Sequence, residues 1–291
     1  MSKEYIESLS SYKDKVGISK TRQVSLEYEI GINREIDASV DLTIFQRLKP
    51  IMNVIITRDL SNLLFVKELI KHKKNIILHV VVSGFGATPL EPYTPHPRAM
   101  FNSIHMLMQQ GFPKEQMVLR IDPVIPNEQG LRALELVLDI FSKLNIRRCR
   151  IRMLKMNKNI IGRVQWTYIT TFGHFSNPYW NEVENKVYAT PSQVHMSQVL
   201  DVLKKYESLY TFETCMRGIF KDFPGIPELG CVSYRDFQVL GVKDADILKD
   251  FEKSTGCACP VNAKELCKID KSLKVQCKLK CVHCIHKTAN I

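Results

Sequence analysis

Residues 53–83 read NVIITRDLSNLLFVKELIKHKKNIILHVVVS and decide the fold. The two ends of this stretch, 53–57 and 75–83, are rich in β-branched residues and have the length of strands. Between them, residues 60–73 place apolar side chains at helical spacing: Leu63, Leu64, Val66, Leu69 and Ile70. A strand, a helix and a second strand in this order form a parallel βαβ unit. We therefore expect an α/β protein built from such units.

The same alternation continues along the chain. Further strands are predicted at 15–18, 24–30, 117–122, 147–153 and 209–214, and further helices at 97–110, 128–144 and 192–206. We expect a full or partial (βα) barrel over residues 1–253, followed by a Cys-rich iron–sulfur segment, 254–291, that returns to the barrel mouth. Residues 154–191 interrupt the barrel pattern with scattered aromatic side chains. They form either an outer loop that packs its own aromatics or a lid over the mouth.

Alternation within the strands predicts a charged barrel interior. In RRCRIRM, residues 147–153, arginines and apolar residues alternate. The apolar side is expected to pack on helices, which turns Arg148, Arg150 and Arg152 inward. The same reasoning turns further polar side chains inward: His79, Arg120, Asp122 and Glu213. These charges either neutralise one another as buried pairs or, because the basic groups are in excess, leave some arginines to bind an anion.

The loop SGFGATPLEP, residues 83–92, leaves a predicted strand at its carboxyl end, where barrel enzymes place their chemistry. Gly84 and Gly86 would allow the backbone to approach a ligand closely, and amides there can hold a carboxylate or phosphate. G-x-G alone usually marks only a turn. The position of the loop adds weight to a binding role, because Arg120 and Arg152 are predicted at the same edge.

The composition indicates a cytoplasmic protein. The chain has 291 residues, 45% of them hydrophobic, so it can bury one barrel-sized core or two smaller ones. It has no apolar run long enough for a membrane span, and its first residues lack the apolar core of a secretion signal. Thiols stay reduced in the cytoplasm, so nine cysteines indicate metal binding better than disulfides. We expect no membrane partner.

The formal net charge of +11 is concentrated in two blocks. Residues 143–163 contain basic residues and no acid, a local charge of +8, and residues 253–287 carry +6. Such blocks are either solvated surface or the binding site of an anionic partner. Nucleic acid is then the leading candidate.

Three cysteines near the end of the sequence, Cys277, Cys281 and Cys284, have C-x3-C-x2-C spacing. One short loop with this spacing can place three thiolates on three irons of a 4Fe-4S cluster, leaving the fourth iron open to S-adenosylmethionine. Zinc sites usually use two C-x2-C pairs, and here only Cys281 and Cys284 form such a pair. A single residue separates Cys257 from Cys259, which is poor spacing for zinc. Spacing therefore favours an iron–sulfur cluster, with zinc as the alternative.

Several motifs occur in a characteristic order: ISKTR, IITRDLSNLL, SGFGATPLEP, LRIDPVIP, TCMRGIF, GCVSYRDF, CAC and CKLKCVHC. This order resembles an uncharacterised family of radical S-adenosylmethionine-like proteins of bacteria and phages that is distantly similar to spore photoproduct lyase. Most radical S-adenosylmethionine proteins carry the cysteine triad after the first strand, whereas here it comes last. His283 stands before the last cysteine, where an aromatic residue is common, and Ile285 follows that cysteine in place of a frequent tyrosine.

The resemblance implies a radical enzyme in which Cys277, Cys281 and Cys284 hold a cluster that cleaves S-adenosylmethionine reductively to a deoxyadenosyl radical. That radical would abstract a hydrogen from the substrate. The resemblance also suggests residues that contact the cofactor: Gly84, Gly86 and Thr88 on the methionine side, Arg120 or Arg152 at the carboxylate, Glu91 at the ammonium and His283 beside the adenine.

The remaining cysteines have an implied role as well. Cys215, Cys231, Cys257 and Cys259 could ligate a second, auxiliary cluster, with Cys267 as a substitute ligand. The implied substrate is a nucleic-acid base or nucleotide, in modification or DNA repair, and the implied electron donor is a flavodoxin or ferredoxin. Two alternatives remain: a zinc-bearing nucleic-acid-binding protein without catalysis, and a peptide-modifying radical enzyme.

Overall fold

The fold is seen in a computed structural model that describes residues 29–33, 36–154, 162, 164, 167, 181–183, 186–190, 193–216, 220, 223, 225–244, 247, 263–267 and 277–283. It contains nine strands within these residues: β1 Ile30–Ile32, β2 Met52–Thr57, β3 Ile76–Val81, β4 Met117–Val124, β5 Arg148–Met153, β6 Asn181–Val183, β7 Lys186–Thr190, β8 Thr211–Glu213 and β9 Lys264–Glu265. The part of 1–253 that holds predicted strand 15–18 lies outside the described residues.

Seven of these strands form one parallel sheet in the order β8-β5-β4-β3-β2-β1-β9. Among the described residues the sheet does not close, because β8 and β9 lie at opposite edges. The α/β prediction is confirmed, and of its two versions the open, partial one is found. Of the strand predicted at 24–30, residues 29 and 30 are described, and only Ile30 lies in a strand, β1. Strands β6 and β7 pair with each other as an antiparallel hairpin.

Within the described part of the chain, five α-helices accompany the sheet: α1 Leu63–Lys71, α2 Pro97–Gln109, α3 Glu128–Ser142, α4 Gln193–Lys204 and α5 Tyr234–Val239. Short 3-10 turns cover Ala38–Val40, Leu42–Arg47, Lys73–Asn75 and Lys114–Gln116. Polar caps begin the helices: the Asn62 side chain accepts the amides of Leu64 and Phe65 at α1, and the Asn127 side chain accepts the Gly130 amide at α3. No described helix is long and apolar enough to span a membrane.

The two faces of the sheet bury different residues. The outer face carries the larger apolar cluster, in which side chains from alternate strand positions pack with the long helices: Ile55, Leu78, Leu119, Ile151, Leu138 and Phe141. The inner face carries a smaller apolar cluster at the amino ends of the strands and charged residues farther along. Phe237 of α5 and Val232 pack into that inner cluster. Helix α5 therefore covers the inner face of the sheet.

Candidate functional site

Glu91 lies at the centre of a polar cluster beyond the carboxyl end of β3. Its side chain is only 2% exposed. One carboxylate oxygen accepts hydrogen bonds from Ser83 Oγ at 2.6 Å and Thr94 Oγ1 at 3.1 Å. The other oxygen pairs with Arg58 Nη1 at 2.9 Å. His283 makes the fourth contact. Four contacts fix this buried carboxylate in position.

The terminal cysteine turn, residues 277–283, docks on this loop. The Val282 amide donates to the Leu90 carbonyl oxygen at 2.9 Å, and His283 Nε2 lies 3.3 Å from Glu91 Oε1. The Lys280 ammonium lies 5.6 Å from the centroid of the Tyr93 ring. Cys281 is buried and Cys277 is half-buried. The turn therefore presents Cys281 beside Glu91 rather than to solvent.

Glu91, Cys281 and His283 offer one carboxylate oxygen, one sulfur and one imidazole nitrogen, all within 4.8 Å of one another. This donor set suits a transition metal or a metal cluster. Arg58 lies beside this group of three side chains. Its Nη2 donates to the Asp122 carbonyl oxygen at 2.8 Å. Burial alone would lower the pKa of Arg58, but the neighbouring Glu91 and Cys281 outweigh it and raise that pKa. The guanidinium is a permanent cation beside the cysteine.

Close contacts within the protein explain why glycines occur in the 83–92 loop. Gly84 has φ +88, and a Cβ there would lie 2.8 Å from Ala133 Cβ. A Cβ on Gly86 would lie 2.0 Å from the Pro95 carbonyl oxygen. The Thr88 amide and hydroxyl both donate to the Phe85 carbonyl oxygen. These contacts explain the sequence of the loop without a ligand, so the cofactor contacts of Gly84, Gly86 and Thr88 stay predictions.

Arg120 and Arg152 converge on Asp122 at the carboxyl end of β4. Arg120 Nε and Arg152 Nη1 each lie 3.0 Å from Asp122 Oδ2. Burial alone would raise the pKa of Asp122, but Arg152 and Arg120 hold it well below its usual value. Arg120 is 6% exposed, whereas Arg152 is 31% exposed and its Nε has no hydrogen-bond partner among the described residues. Arg152 is therefore the more accessible of the two for an incoming anion.

Deeper on the inner face, Glu213 of β8 holds the other arginines of β5. Its Oε1 lies 2.7 Å from Arg150 Nη2 and 3.3 Å from Arg148 Nη2. Arg148 Nη1 also lies 2.8 Å from Asp236 Oδ1, on helix α5. The inward direction of the arginines agrees with the strand alternation. The comparison of inward charges made from the strands alone did not include Asp236. This additional acid leaves fewer arginines for an external anion.

Cys215 and Cys231 belong to the same buried cluster on the inner face. Arg120 Nη1 lies 3.1 Å from Cys231 Sγ. Both cysteines are buried. Cys267, the substitute ligand, lies elsewhere, with its sulfur 3.7 Å from the Ile36 carbonyl oxygen.

Several predicted site residues lie outside the described residues: Cys284, Cys257 and Cys259, together with most of 154–191 and of 254–291. Their placement, the auxiliary cluster and the lid stay predictions. The sequence reasoning assigned no role to Arg58 or Asp236. Arg58 directly follows β2, so its place at the carboxyl edge of the sheet was a signal that could have found it. Asp236 forms the capping box at the start of α5 together with Ser233. This local role explains an acid at that position, so nothing in the sequence indicated its ion pair with Arg148.

Residues 38–285 match the family described as "Domain of unknown function (DUF1848)", and the chain belongs to that family. No curated protein matches it. Among solved structures, a cysteine-to-alanine variant and a tyrosine-to-phenylalanine variant of spore photoproduct lyase are each 12% identical, with a TM-score of 0.41, over 60% of this chain and 49% of theirs. The cysteine-to-alanine variant with a dinucleoside spore photoproduct is 10% identical, with a TM-score of 0.39, over 60% and 50%. The chain thus spans about half the length of these solved chains.

Proposed function

We propose that this protein is a radical S-adenosylmethionine enzyme whose 4Fe-4S cluster is held by Cys277, Cys281 and Cys284. The observation that carries the proposal is the docking of turn 277–283 onto the loop after β3, which puts a buried Cys281 at the carboxyl edge of a parallel sheet. Enzymes with parallel α/β sheets bind their ligands at this edge. The C-x3-C-x2-C spacing supplies three thiolates there and leaves one iron open.

The cysteine thiolates and the neighbouring cation suit an iron–sulfur cluster chemically. Thiolates are the ligands that iron–sulfur clusters require, and a buried set of thiolates needs a nearby cation to offset its negative charge. Arg58 supplies that cation beside Cys281. When bound, the cluster and S-adenosylmethionine supply reductive cleavage to a deoxyadenosyl radical, with a flavodoxin or ferredoxin as the electron donor.

The residues of the chain orient the cofactor in this proposal. Arg152 is assigned to the cofactor carboxylate, because its side chain is 31% exposed and that of Arg120 is only 6% exposed. Asp122 holds Arg152 at the edge of the sheet. Glu91 is assigned to the cofactor ammonium, in competition with Arg58, because Ser83 and Thr94 occupy one of its oxygens and Arg58 pairs with the other. His283 lies next to the oxygen that pairs with Arg58 and offers a flat ring.

The proposed substrate is a base or nucleotide of nucleic acid, in modification or repair. The support is the basic block 143–163, although Arg148 and Arg150 are buried in ion pairs and add nothing to a surface patch. The exposed part is therefore smaller than its formal charge. Binding to single-stranded DNA should weaken with salt, with a log-log slope of about 0.7 per neutralised phosphate. Salt-independent binding, or none at low salt, would favour a small-molecule or peptide substrate.

The central experiment is analysis of iron, acid-labile sulfide and zinc in protein purified without air. The proposal expects iron and sulfide in equal amounts and cleavage of S-adenosylmethionine after reduction. Changing Cys277, Cys281 and Cys284 together to Ala should abolish the cleavage. A matched control is Cys149→Ala, because Cys149 is buried in the outer apolar cluster away from the turn. Stoichiometric zinc without sulfide would refute the radical proposal.

A second candidate is a mononuclear zinc protein, and the grouping of Glu91, Cys281 and His283 favours it. Glu91→Gln separates the two functions, because a carboxylate ligand lost from a zinc site lowers the zinc content. In the cluster proposal the same substitution leaves iron and sulfide unchanged and weakens S-adenosylmethionine binding.

A further inference from the structure

The charged groups around Glu213 form one network on the inner face, away from the terminal turn. Arg150 of β5 and Glu213 of β8 occupy paired strand positions, and their side chains are fully buried. Arg148 joins Glu213 to Asp236 of α5. Arg235, also on α5, lies 3.6 Å from the second oxygen of Glu213. Two strands and a helix therefore share a single set of ion pairs.

Guanidinium groups outnumber carboxylates in these ion pairs. Arg148, Arg150 and Arg235 share two acids, Glu213 and Asp236, which leaves one positive charge in excess. Arg148 is 11% exposed and Arg150 is fully buried, so water stabilises their charges poorly. A buried charge without full compensation is costly, and a bound anion would offset that cost.

Several donors of the network have no hydrogen-bond partner among the described residues. These donors are Arg148 Nε, Arg150 Nε and Arg150 Nη1. Glu213 Oε2 and Asp236 Oδ1 also lack hydrogen bonds, but each lies beside a guanidinium, at 3.6 and 2.8 Å. The unmet hydrogen-bonding capacity is therefore mainly that of N–H donors, which proteins rarely leave unsatisfied. Water could accept from these donors but would leave the excess charge, whereas an anion answers both.

His79 adds a donor on the same face of the sheet. It pairs with Val118 of β4. Because the next residue of β4 pairs with Cys149, Val118 stands opposite Arg148. His79 and Arg148 are therefore long polar side chains on either side of a smaller apolar one. His79 is fully buried, and neither ring nitrogen has a hydrogen-bond partner among the described residues. Its ring offers one more N–H to a ligand.

We propose that Arg148, Arg150 and His79 bind a small oxyanion on the inner face. Guanidinium groups suit this ligand, because their N–H groups match the oxygen atoms of phosphate or carboxylate. The site is separate from the position assigned to Arg152, which lies farther along β5 and is partly exposed. Helix α5 has only six residues, two of which belong to the network. The ion enters when this short helix moves away from the sheet.

The test uses the full chain, purified in buffer free of phosphate and sulfate. Denatured protein is analysed by ion chromatography for a retained oxyanion. The melting temperature of folded protein is then measured against inorganic phosphate, with sodium chloride at equal ionic strength as the control. At a phosphate concentration about five times Kd, Tm should rise by about 2–4 °C. Protein that neither retains an oxyanion nor gains stability from phosphate would overturn the proposal.

Two variants locate the ion. His79→Leu removes a buried polar group without a partner, so it should not lower stability in the absence of phosphate, yet it should weaken phosphate binding. Glu213→Leu with Arg150→Met removes a cation and an acid together and should weaken binding more. The matched control is Arg152→Met, which removes another guanidinium of β5 and should keep the phosphate effect. Unchanged phosphate affinity in the first two variants, or its loss only in the control, would overturn the assignment.

Two sources can supply the oxyanion, and adenosine monophosphate distinguishes them. If it stabilises the protein no more than inorganic phosphate does, the free ion is the ligand. If it stabilises the protein more, and adenosine alone does not, the ligand is the phosphate group of a nucleotide. Either result supports the site and identifies what it binds.

This proposal does not depend on the radical function. The variant with Cys277, Cys281 and Cys284 changed to Ala should keep the phosphate effect, and His79→Leu should keep the iron and sulfide of the parent protein. If the triple variant stays folded but loses phosphate binding, the ion belongs to the terminal turn and the inner-face site is refuted. If phosphate binds to protein that cannot hold iron, the oxyanion site stands while the radical function fails.

Discussion

Different interactions stabilise the two faces of the sheet, although the same strands form both. On β5, Cys149, Ile151 and Met153 enter the outer apolar cluster, while the arginines between them enter ion pairs on the inner face. Apolar burial is not directional and tolerates small changes in shape. A buried ion pair requires both partners in place, because either one alone keeps its full desolvation cost. Apolar burial thus holds the outer face together, and ion pairs hold the inner face.

The inner face also leaves polar atoms without partners. Among the described residues, both ring nitrogens of His79 and the Nε and Nη1 of Arg150 have no hydrogen bond. Burial, with the neighbouring Arg150, lowers the pKa of His79 well below its usual value, so the ring is neutral. Unsatisfied buried groups cost stability. We infer that the inner face contributes less to stability than the outer face.

The largest expected effect comes from breaking the inner face at Glu213. Glu213→Ala leaves Arg150 and Arg148 without their shared carboxylate and should lower the free energy of unfolding by about 3–5 kcal/mol. Urea unfolding measures this change. The control is Glu213→Leu with Arg150→Met, which removes the buried charge pair together and should cost less than Glu213→Ala alone. A double variant that is less stable than the single one would show that the pair itself stabilises the fold.

Acid should weaken the inner face through Asp122. Its pKa in the folded state lies below the unfolded value, so its contribution is complete above about pH 4 and is lost as the pH falls further. Asp122→Asn removes the negative charge that Arg120 and Arg152 share and should cost about 1–3 kcal/mol at neutral pH. Unfolding in urea at several pH values should show a shallower acid dependence for this variant. Identical acid profiles for variant and parent would contradict the assignment.

The smallest effect is expected on the outer face. Ile151→Val removes one methylene group from a fully buried side chain and should cost about 0.5–1.5 kcal/mol. The loss should be the same at neutral and acidic pH, because no charge lies in that cluster. Thermal unfolding at two pH values is sufficient to measure it. If the loss grew in acid, the two faces would be coupled, and the contrast between them would need revision.

The sequence predicted most of the outer architecture because periodicity reports burial directly. The helix predicted at 97–110 is Pro97–Gln109, and the strand predicted at 147–153 is Arg148–Met153. The edge strand β9 was not predicted, since two residues carry no period and its partner β1 is distant in sequence. Helix α5 was missed for a similar reason, because six residues are too few for a helical pattern. Its role as a cover of the inner face is a tertiary effect.

The candidate site was predicted unevenly. Alternation turned Arg150 and Arg152 inward and left Cys149 as a small buried hydrophobe, and the structure agrees. The same pattern could not reveal Asp236, because that acid reaches the arginines from a helix and not from a strand. Nor could spacing show that Glu91, rather than a glycine, would meet the cysteine turn. Contacts between loops depend on packing that no local pattern records.

Because the chain is synthesised from its amino end, the cysteine turn is made after the sheet. Residues 277–283 follow the nine strands that the structure describes, so the ribosome has delivered these strands before Cys281 emerges. By then Ser83 and Thr94 can already hold Glu91 in place. In the proposed function, loading of iron would therefore follow the synthesis of the described strands. A cell short of iron would then accumulate a folded, empty precursor that can be filled later, rather than misfolded chains that must be degraded.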